Sequence, residues 1–433
     1  MFIPYLHTMV RSFTNSDMFF MKSVVVFFLF AFCSLSGVQA QSPQRIEATR
    51  MVQMGDNNMQ QALFEQAIFS YTNAIATDPY YAEAYMKRAS LYRKLGRYRE
   101  AKQDYEKARM MNPYSAYVMD ANAKISFLAT DYKKGLEEIE EAIKLDPSNE
   151  DHIDHRVDGR ILSGEYALAK DDIAHLLESS YNVELTYLKQ ALVYFLEGEL
   201  EQSEPSLHQV LELNPENALA LDVQGLIDLK RGEFQSALEQ FDAALKVNPE
   251  FSLAVYNKGI TYRMMGDDVQ ALKYFDEAIS MQLDLSKTYF ERGLVKKEMG
   301  NFAGSINDYS KVNEFDTVYF NAIYNRAFSY KMMGDFPSAL VDANEAVKLR
   351  PKDASAWGMR GNIYLLFGDY DQAITNYDEA LKWTNSQGEI MFNKGLAELF
   401  DHRVREGCST LKSTVEEHGY EHGRNALANF CGP

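Results

Sequence analysis

The chain has 433 residues, a formal charge of −18 at pH 7 and 46% apolar residues, with few prolines or glycines. That acidity excludes the basic stripe needed to displace counterions from a phosphate backbone, so no nucleic acid is expected as partner, and adhesion to anionic lipid is disfavoured too. The apolar content is ample for a packed helical core.

The first segment reads as an address. Met21 and Lys22 precede an apolar run over residues 24–32, and small residues at Val38 and Ala40 stand before Gln41. This is the pattern of a secretory signal cleaved after Ala40. The run is too short to span a bilayer comfortably, so no membrane span is expected in the mature chain. Residues 1–40 are therefore read as an N-terminal extension with a cleavable signal, and 41–47 as a short linker. Cys33 could anchor a lipoprotein, but Phe32 stands where such signals carry a small residue, which disfavours that route. The remainder is expected to be exported, and periplasmic or envelope-associated.

From there a single ruler governs the chain. Pro79, Pro113, Pro147, Pro215, Pro249 and Pro351 are separated by 34 residues or whole multiples of 34. A fixed period of that size marks a helical repeat array. With proline at repeat position 32, blocks begin at Ala48, Ala82, Ala116, Glu150, Glu184, Ala218, Ser252, Ser286, Phe320 and Ala354. Ten tandem units thus cover 48–387, and a partial repeat with a C-terminal cap covers 388–433.

Position 8 is mostly small, as in Gly225, Gly259, Gly293 and Gly361, and position 20 is mostly Ala, while position 24 carries large rings such as Tyr71, Tyr105, Phe241, Phe275 and Tyr309. Positions 4, 8 and 11 share one helix face, and positions 20, 24 and 27 share the matching face of a second helix. Glycine at position 15 ends helix A, and the proline ends helix B. Tyr181, Leu283, Thr317 and Asn385 replace that proline without shifting the phase. The fourth block departs most, with Val157 at position 8 and Leu176 at position 27, and looser packing is expected there. Pro205, inside helix B of the fifth block, predicts a local kink.

In these positions the chain resembles the tetratricopeptide repeat (TPR) family over residues 48–387. The resemblance implies an all-α, right-handed superhelical solenoid of antiparallel helix pairs, whose helices A line a concave groove that usually binds a peptide or another protein.

Position 7 carries a basic row: Arg88, Arg156, Lys258, Arg292, Arg326, Arg360 and Lys394. Four of its arginines travel with aspartate at position 23, in the pairs Arg88 and Asp104, Arg156 and Asp172, Arg292 and Asp308, Arg326 and Asp342. A brace between helices A and B within each repeat is expected there rather than a ligand clamp. Arg360 and Lys258 lack that partner, facing Asn376 and Tyr274.

The candidate partner-binding residues lie on the concave face. Asn257, Asn325 and Asn393 stand at position 6, where an amide can donate to and accept from a peptide backbone. Related TPR arrays use helix A asparagines this way. Tyr256, Phe290, Tyr324 and Phe392 at position 5, with Arg263, Lys297 and Lys331 at position 12, complete a mixed groove.

Enzyme signatures are absent, with no glycine-rich phosphate loop or nucleophile elbow. His152 and His155, three apart beside Asp151 and Asp154, are read as solvated helix-start residues, and His418 and His422 have Gly419 between them. No metal and no cofactor are expected. Cys408 and Cys431 are a possible disulfide in the terminal unit. The function expected is a non-enzymatic scaffold that binds a protein or peptide, in an envelope assembly. The alternative, kept open by 27 Tyr and 26 Phe, is a binding module for a glycan or other envelope polymer.

Overall fold

The computed structural model describes residues 42–281, 285–313 and 317–432. The apolar run, the cleavage position at Ala40 and Cys33 lie outside them. Every regular element among the described residues is an α-helix, and the chain forms two compact units, one through Ala220 and one from Leu221 onward.

In the first unit, helices A and B pair as α1 (Pro43–Gln60) with α2 (Phe64–Thr77), α3 (Ala82–Lys94) with α4 (Tyr98–Met111), and α5 (Ala116–Leu128) with α6 (Tyr132–Leu145). Two further pairs follow, α7 (Glu150–Ser163) with α8 (Tyr166–Glu178) and α9 (Val183–Glu197) with α10 (Leu200–Leu213). Helix α11 (Ala218–Arg231) starts at the end of this unit. The second unit continues with α12 (Phe234–Val247), α13 (Ser252–Met265), α14 (Asp268–Ser280), α15 (Leu285–Glu298) and α16 (Phe302–Tyr309). It ends with α17 (Tyr319–Met332), α18 (Phe336–Leu349), α19 (Ala354–Phe367), α20 (Tyr370–Leu381), α21 (Gly388–Phe400), α22 (Val404–Glu416) and α23 (His422–Phe430). Some helices A also touch the helix A of the next repeat, as α5 touches α7 and α13 touches α15.

Helix α1 begins inside the segment expected as linker. Ser42 caps it, its Oγ accepting from the Arg45 amide at 3.1 Å, and Pro43 occupies the first turn, where a missing N–H costs nothing. At the other end, the partial repeat is a complete helix pair, α21 and α22, with α23 laid against it.

Helices A stop in a left-handed residue at position 15, Gly266 at φ +77° being representative. Ala62, Thr130 and His402 hold the same conformation at φ 57°, 62° and 64°, although each carries a Cβ. Helices B stop by two routes. Ahead of each ruler proline the cap residue is extended, from Asp78 at φ −134° to Arg350 at φ −132°, because the pyrrolidine ring excludes the helical region for the residue before it. Where the proline is missing, helices B end earlier, α8 at Glu178 and α16 at Tyr309, yet the next helix A resumes in phase at Val183 and Tyr319.

In five of the pairs, from Gly55 under Tyr71 to Gly361 under Tyr377, the spacing is set by a ring against a glycine. A Cβ built on Gly225, Gly259, Gly293 or Gly361 would fall 2.6–2.7 Å from the position 24 ring of Phe241, Phe275, Tyr309 or Tyr377. In the third and fourth repeats position 24 is Ile139 and Ile173, and the missing ring comes from elsewhere: Phe127 of α5 fills the space over Gly135 and Gly159, whose Cβ atoms would meet it at 2.3 Å. The junction expected to be loose is closed by this substitution, with Val157, Ile173 and Leu176 fully excluded from solvent around Phe127. Pro205 falls inside α10, which runs past it to Leu213.

Two substitutions test these constraints in urea unfolding followed by circular dichroism. Gly259→Ala should lower stability by about 1–3 kcal/mol, because the fully buried Phe275 ring has nowhere to retreat. Thr130→Gly should raise it by about 1 kcal/mol, since the β-branched residue is held in a left-handed conformation with an exposed side chain that gives up little when removed.

Candidate functional site

The basic row at position 7 is bonded inside the repeats. Arg88 grips Asp104 through Nε and Nη2 at 2.7 and 2.8 Å, and Arg156, Arg292 and Arg326 repeat the two-pronged geometry on Asp172, Asp308 and Asp342 at 2.6–2.9 Å. Each guanidinium also uses Nη1 in a direction that pairing along the sequence did not suggest. It donates to position 25 of the preceding repeat: Arg88 to Thr72, Arg156 to Glu140, Arg292 to Asp276, Arg326 to Ser310 and Arg360 to Asn344. Lys258 and Lys394 make the same step, to Asp242 at 2.5 Å and Asp378 at 2.6 Å. Thus Lys258 is partnered across the repeat junction, and Arg360 is held by Asn376 at 2.6 Å as well as by Asn344. The carboxylate of Asp308 holds Arg292 firmly charged, its hydrogen bonds outweighing the cost of burial.

The row expected to face a partner divides in two. Asn257 is 1% exposed and donates to Asp222 Oδ1 at 2.8 Å, so it is buried between α11 and α13. Tyr256 and Phe290 are buried as well, packed on Phe275 and Tyr309 with ring centroids 5.8 and 6.0 Å apart. Arg263 turns to Glu291 at 3.2 Å. Asn257 and Arg263 join neighbouring repeats, whereas Tyr256 and Phe290 pack on the position 24 ring of their own repeat.

The half-exposed remainder lies on α15, α17 and α21, and its α15 and α17 members meet. Lys297 Nζ donates to Asn325 Oδ1 at 2.8 Å and lies 5.8 Å from the centre of the Phe328 ring, while Lys331 Nζ approaches the same ring at 4.8 Å. Neither lysine forms an ion pair among the described residues. Burial lowers both ammonium groups below the ordinary lysine range, against weaker opposing pulls from Glu298 and Glu389. Asn325 donates to the Asn321 carbonyl at 2.8 Å, and Asn393 donates to Asn362 Oδ1 at 3.1 Å. Tyr324 stacks on Phe320 at 6.3 Å, and Phe392 packs on Tyr420 at 5.5 Å.

A second polar site, in the first unit, escaped the sequence reading. A cavity of about 410 Å³ opens among α5, α7 and α9, lined by Asp120, His152, Asp154, His155, Asp158 and Lys189 among others. Lys189 is 2% exposed and donates to Asp154 Oδ1 at 2.7 Å and to the Asp154 carbonyl at 3.0 Å, with Asp158 Oδ1 at 2.6 Å. Burial would discharge this ammonium, but the two carboxylates outweigh it and keep it above the usual lysine range. His152 and His155 are not solvated: His152 is 4% exposed, and His155 Nδ1 lies 2.7 Å from Asp120 Oδ1. Their helix packs against α5, which carries Asp120, so the start of α7 is covered. Burial works against ionisation of Asp120, yet the two histidines and Lys124 hold it well below the usual carboxylate range.

A regular offset underlies these contacts. Position 6 reaches position 5 of the preceding repeat, 35 residues earlier, in His155 with Asp120, Lys189 with Asp154 and Asn257 with Asp222. Comparing columns at that offset was the signal that could have found the cavity.

In the terminal unit Cys408 of α22 and Cys431, just beyond α23, are joined by a disulfide.

Family models described as tetratricopeptide repeat match residues 82–115, 223–284 and 324–390. A search of curated protein sequences finds no match. Among solved structures, the chain is similar to the APC/C hetero-tetramer Cut9-Hcn1 at 13% identity, covering 85% of this chain and 93% of that one with a TM-score of 0.43. It is also similar to a tetratricopeptide repeat protein from Parabacteroides merdae ATCC 43184, at 19% identity, 57% and 98% coverage and a TM-score of 0.41. Yeast Tom70 matches at 13% identity, 89% and 95% coverage and a TM-score of 0.40.

The buried Asn257–Asp222 contact makes stability depend on pH. Burial pushes the Asp222 carboxyl from 3.8 up to about 7, against the opposing hydrogen bond from Asn257. Between those values the folded state holds a proton that the unfolded state has released, so this stability is fullest below the unfolded pKa and is lost as pH rises through about 7. The loss should be on the order of 2–4 kcal/mol. Asp222→Asn, which keeps the acceptor oxygen and cannot ionise, should match the parent near pH 4 and exceed it at pH 8 in denaturant titrations.

Proposed function

This chain is a tetratricopeptide-repeat protein, and we propose that it is a non-enzymatic scaffold that binds an extended, acidic segment of a protein partner on helices A of its second unit. TPR proteins bind protein partners and are generally non-catalytic. The observation that carries the finer reading is the pair of half-buried ammonium groups of Lys297 and Lys331 on the Phe328 ring. In a chain of charge −18, where the position 7 bases are bonded within and between the repeats, these two lack a carboxylate partner among the described residues. Desolvation penalises each, and a carboxylate delivered by a partner would relieve that penalty through a charge-assisted hydrogen bond. Asn325, bonded to Lys297, adds an amide suited to a peptide backbone.

A glycan ligand would need open ring faces. Burial of Tyr256 and Phe290 weighs against that alternative. An exported, envelope-associated location is part of the proposal. It is supported by the apolar run at residues 24–32 and by the Cys408–Cys431 disulfide, which oxidising compartments favour.

The test is a crosslinked pull-down from the envelope fraction, followed by affinity measurement with the recovered partner. The double substitution Lys297→Ala with Lys331→Ala should weaken binding by at least about tenfold, or ~1.4 kcal/mol. Lys297→Arg with Lys331→Arg should retain most of it. Undiminished recovery with the alanine pair would overturn the reading.

A further inference from the structure

The cavity of the first unit contains a side-chain set that its surroundings do not satisfy. His152 is buried to 4% exposure, and neither of its ring nitrogens has a hydrogen-bond partner. Its Nδ1 stands 3.4 Å from Asp120 Oδ1, close enough for electrostatic attraction but without hydrogen-bond geometry. Leaving a buried imidazole unbonded is unfavourable, since each nitrogen has given up water for nothing. The same Asp120 oxygen faces His155 Nδ1 at 2.7 Å, and one ligand atom from each of the three residues falls within 4.8 Å of the others.

We propose that Asp120, His152 and His155 bind a divalent transition-metal ion, of which zinc is the type. Nitrogen and carboxylate donors at about 2.0–2.2 Å from such an ion lie about 3.3–3.5 Å apart, so modest rotations of three side chains close the set. Two imidazoles and one carboxylate suit zinc and its first-row neighbours better than magnesium or calcium, which require oxygen ligands.

The charges around the set agree with a cation. Lys189, the base deepest in the cavity, is already engaged by Asp154 and Asp158, and Lys124 lies on the far oxygen of Asp120, Oδ2, at 3.1 Å. Asp120 Oδ1, the oxygen turned to the histidines, is left for the ion. Asp146 and Asp151 add two more carboxylates to the lining, against Arg93 as the one further base, so acids outnumber bases there.

Three protein ligands leave at least one coordination position, and the cavity gives it room for water or for a donor from outside the chain. The site thus has the form of one that completes its shell with a small anion or a side chain of a bound partner. It lies within the first unit and stands whether or not the lysine patch of the second unit binds an acidic segment.

The test uses the full chain, stripped with EDTA and dialysed, and titrated calorimetrically with zinc chloride. One equivalent should bind, and the unfolding temperature should rise with added zinc, as linkage requires for a ligand of the native state. Cobalt(II) should give a visible d–d spectrum that zinc displaces. His152→Ala and Asp120→Asn should each loosen zinc at least about tenfold; His155→Gln, on the partly exposed edge of the cavity, should do the same without disturbing the core. His418→Ala with His422→Ala should leave binding unchanged. Circular dichroism identifies any variant that fails to fold, and His155→Gln then decides. Absence of stoichiometric binding, or binding indifferent to His155→Gln in a folded protein, would overturn the proposal.

Discussion

In half of the repeats the distance between the two helices rests on one steric relation, a ring at position 24 lying over a glycine at position 8 that has no side chain to oppose it. With Gly259 under Phe275 or Gly361 under Tyr377 the helices can approach until the ring fills the space between their backbones. Dispersion then acts over many atoms at contact distance, and a gap of half an ångström would forfeit about a quarter of it. Phe127 shows that the relation matters more than the position. When repeats three and four lose their rings to Ile139 and Ile173, a ring supplied from α5 takes over, and glycines appear at Gly135 and Gly159 to receive it.

Close approach creates the second layer of order, which is electrostatic. Once helix B of one repeat, helix A of the next and that repeat's own helix B converge, a guanidinium at position 7 can bond two of them at once. Arg292 does so with Asp308, which is fully buried, and with Asp276, which is exposed. The buried arm specifies geometry, because an arginine left without Asp308 would carry an uncompensated charge in a poorly solvated seam. The exposed arm is worth less, since solvent screens it. The basic row therefore belongs to the scaffold, whereas Lys297 and Lys331, at position 12, lie where the braces do not reach.

Much of this was legible in sequence, and the reason is physical. A period of 34 residues, small residues at position 8 and rings at position 24 are demanded by packing, so they recur and can be read by superposing blocks. Lys258 lacks an aspartate at position 23, as its block shows, but its carboxylate partner, Asp242, belongs to the preceding repeat, and a search within each block cannot see it. His152 and His155 were misread as solvated for a related reason: their spacing along α7 is unremarkable, and what buries them is α5, a repeat earlier. Asn257 was taken for a groove residue, although Asp222 stands 35 positions before it in a column that also pairs His155 with Asp120. Contacts across the seam between helices A follow a fixed offset just as the core does, but their chemistry varies from repeat to repeat and so leaves no repeated letter.

That variation is what distinguishes the two units. Positions 8, 20, 24 and 27 are committed to holding helices together, and position 7 to joining one repeat to the next. Positions 5, 6, 9 and 12 of helix A are under weaker packing demands, and the two units spend them differently. In the first unit positions 5, 6 and 9 carry Asp120, Asp154, Asp158, His155 and Lys189, charged and imidazole groups drawn together around a cavity. In the second they carry Tyr324, Asn325 and Phe328, with lysines at position 12 laid over the Phe328 ring. Identical backbone geometry thus presents a polar, ligand-donor chemistry in one unit and an aromatic, amide and ammonium chemistry in the other. A scaffold whose period is fixed by its core can change what it binds by altering these four columns alone, because none of them sets the distance between its helices.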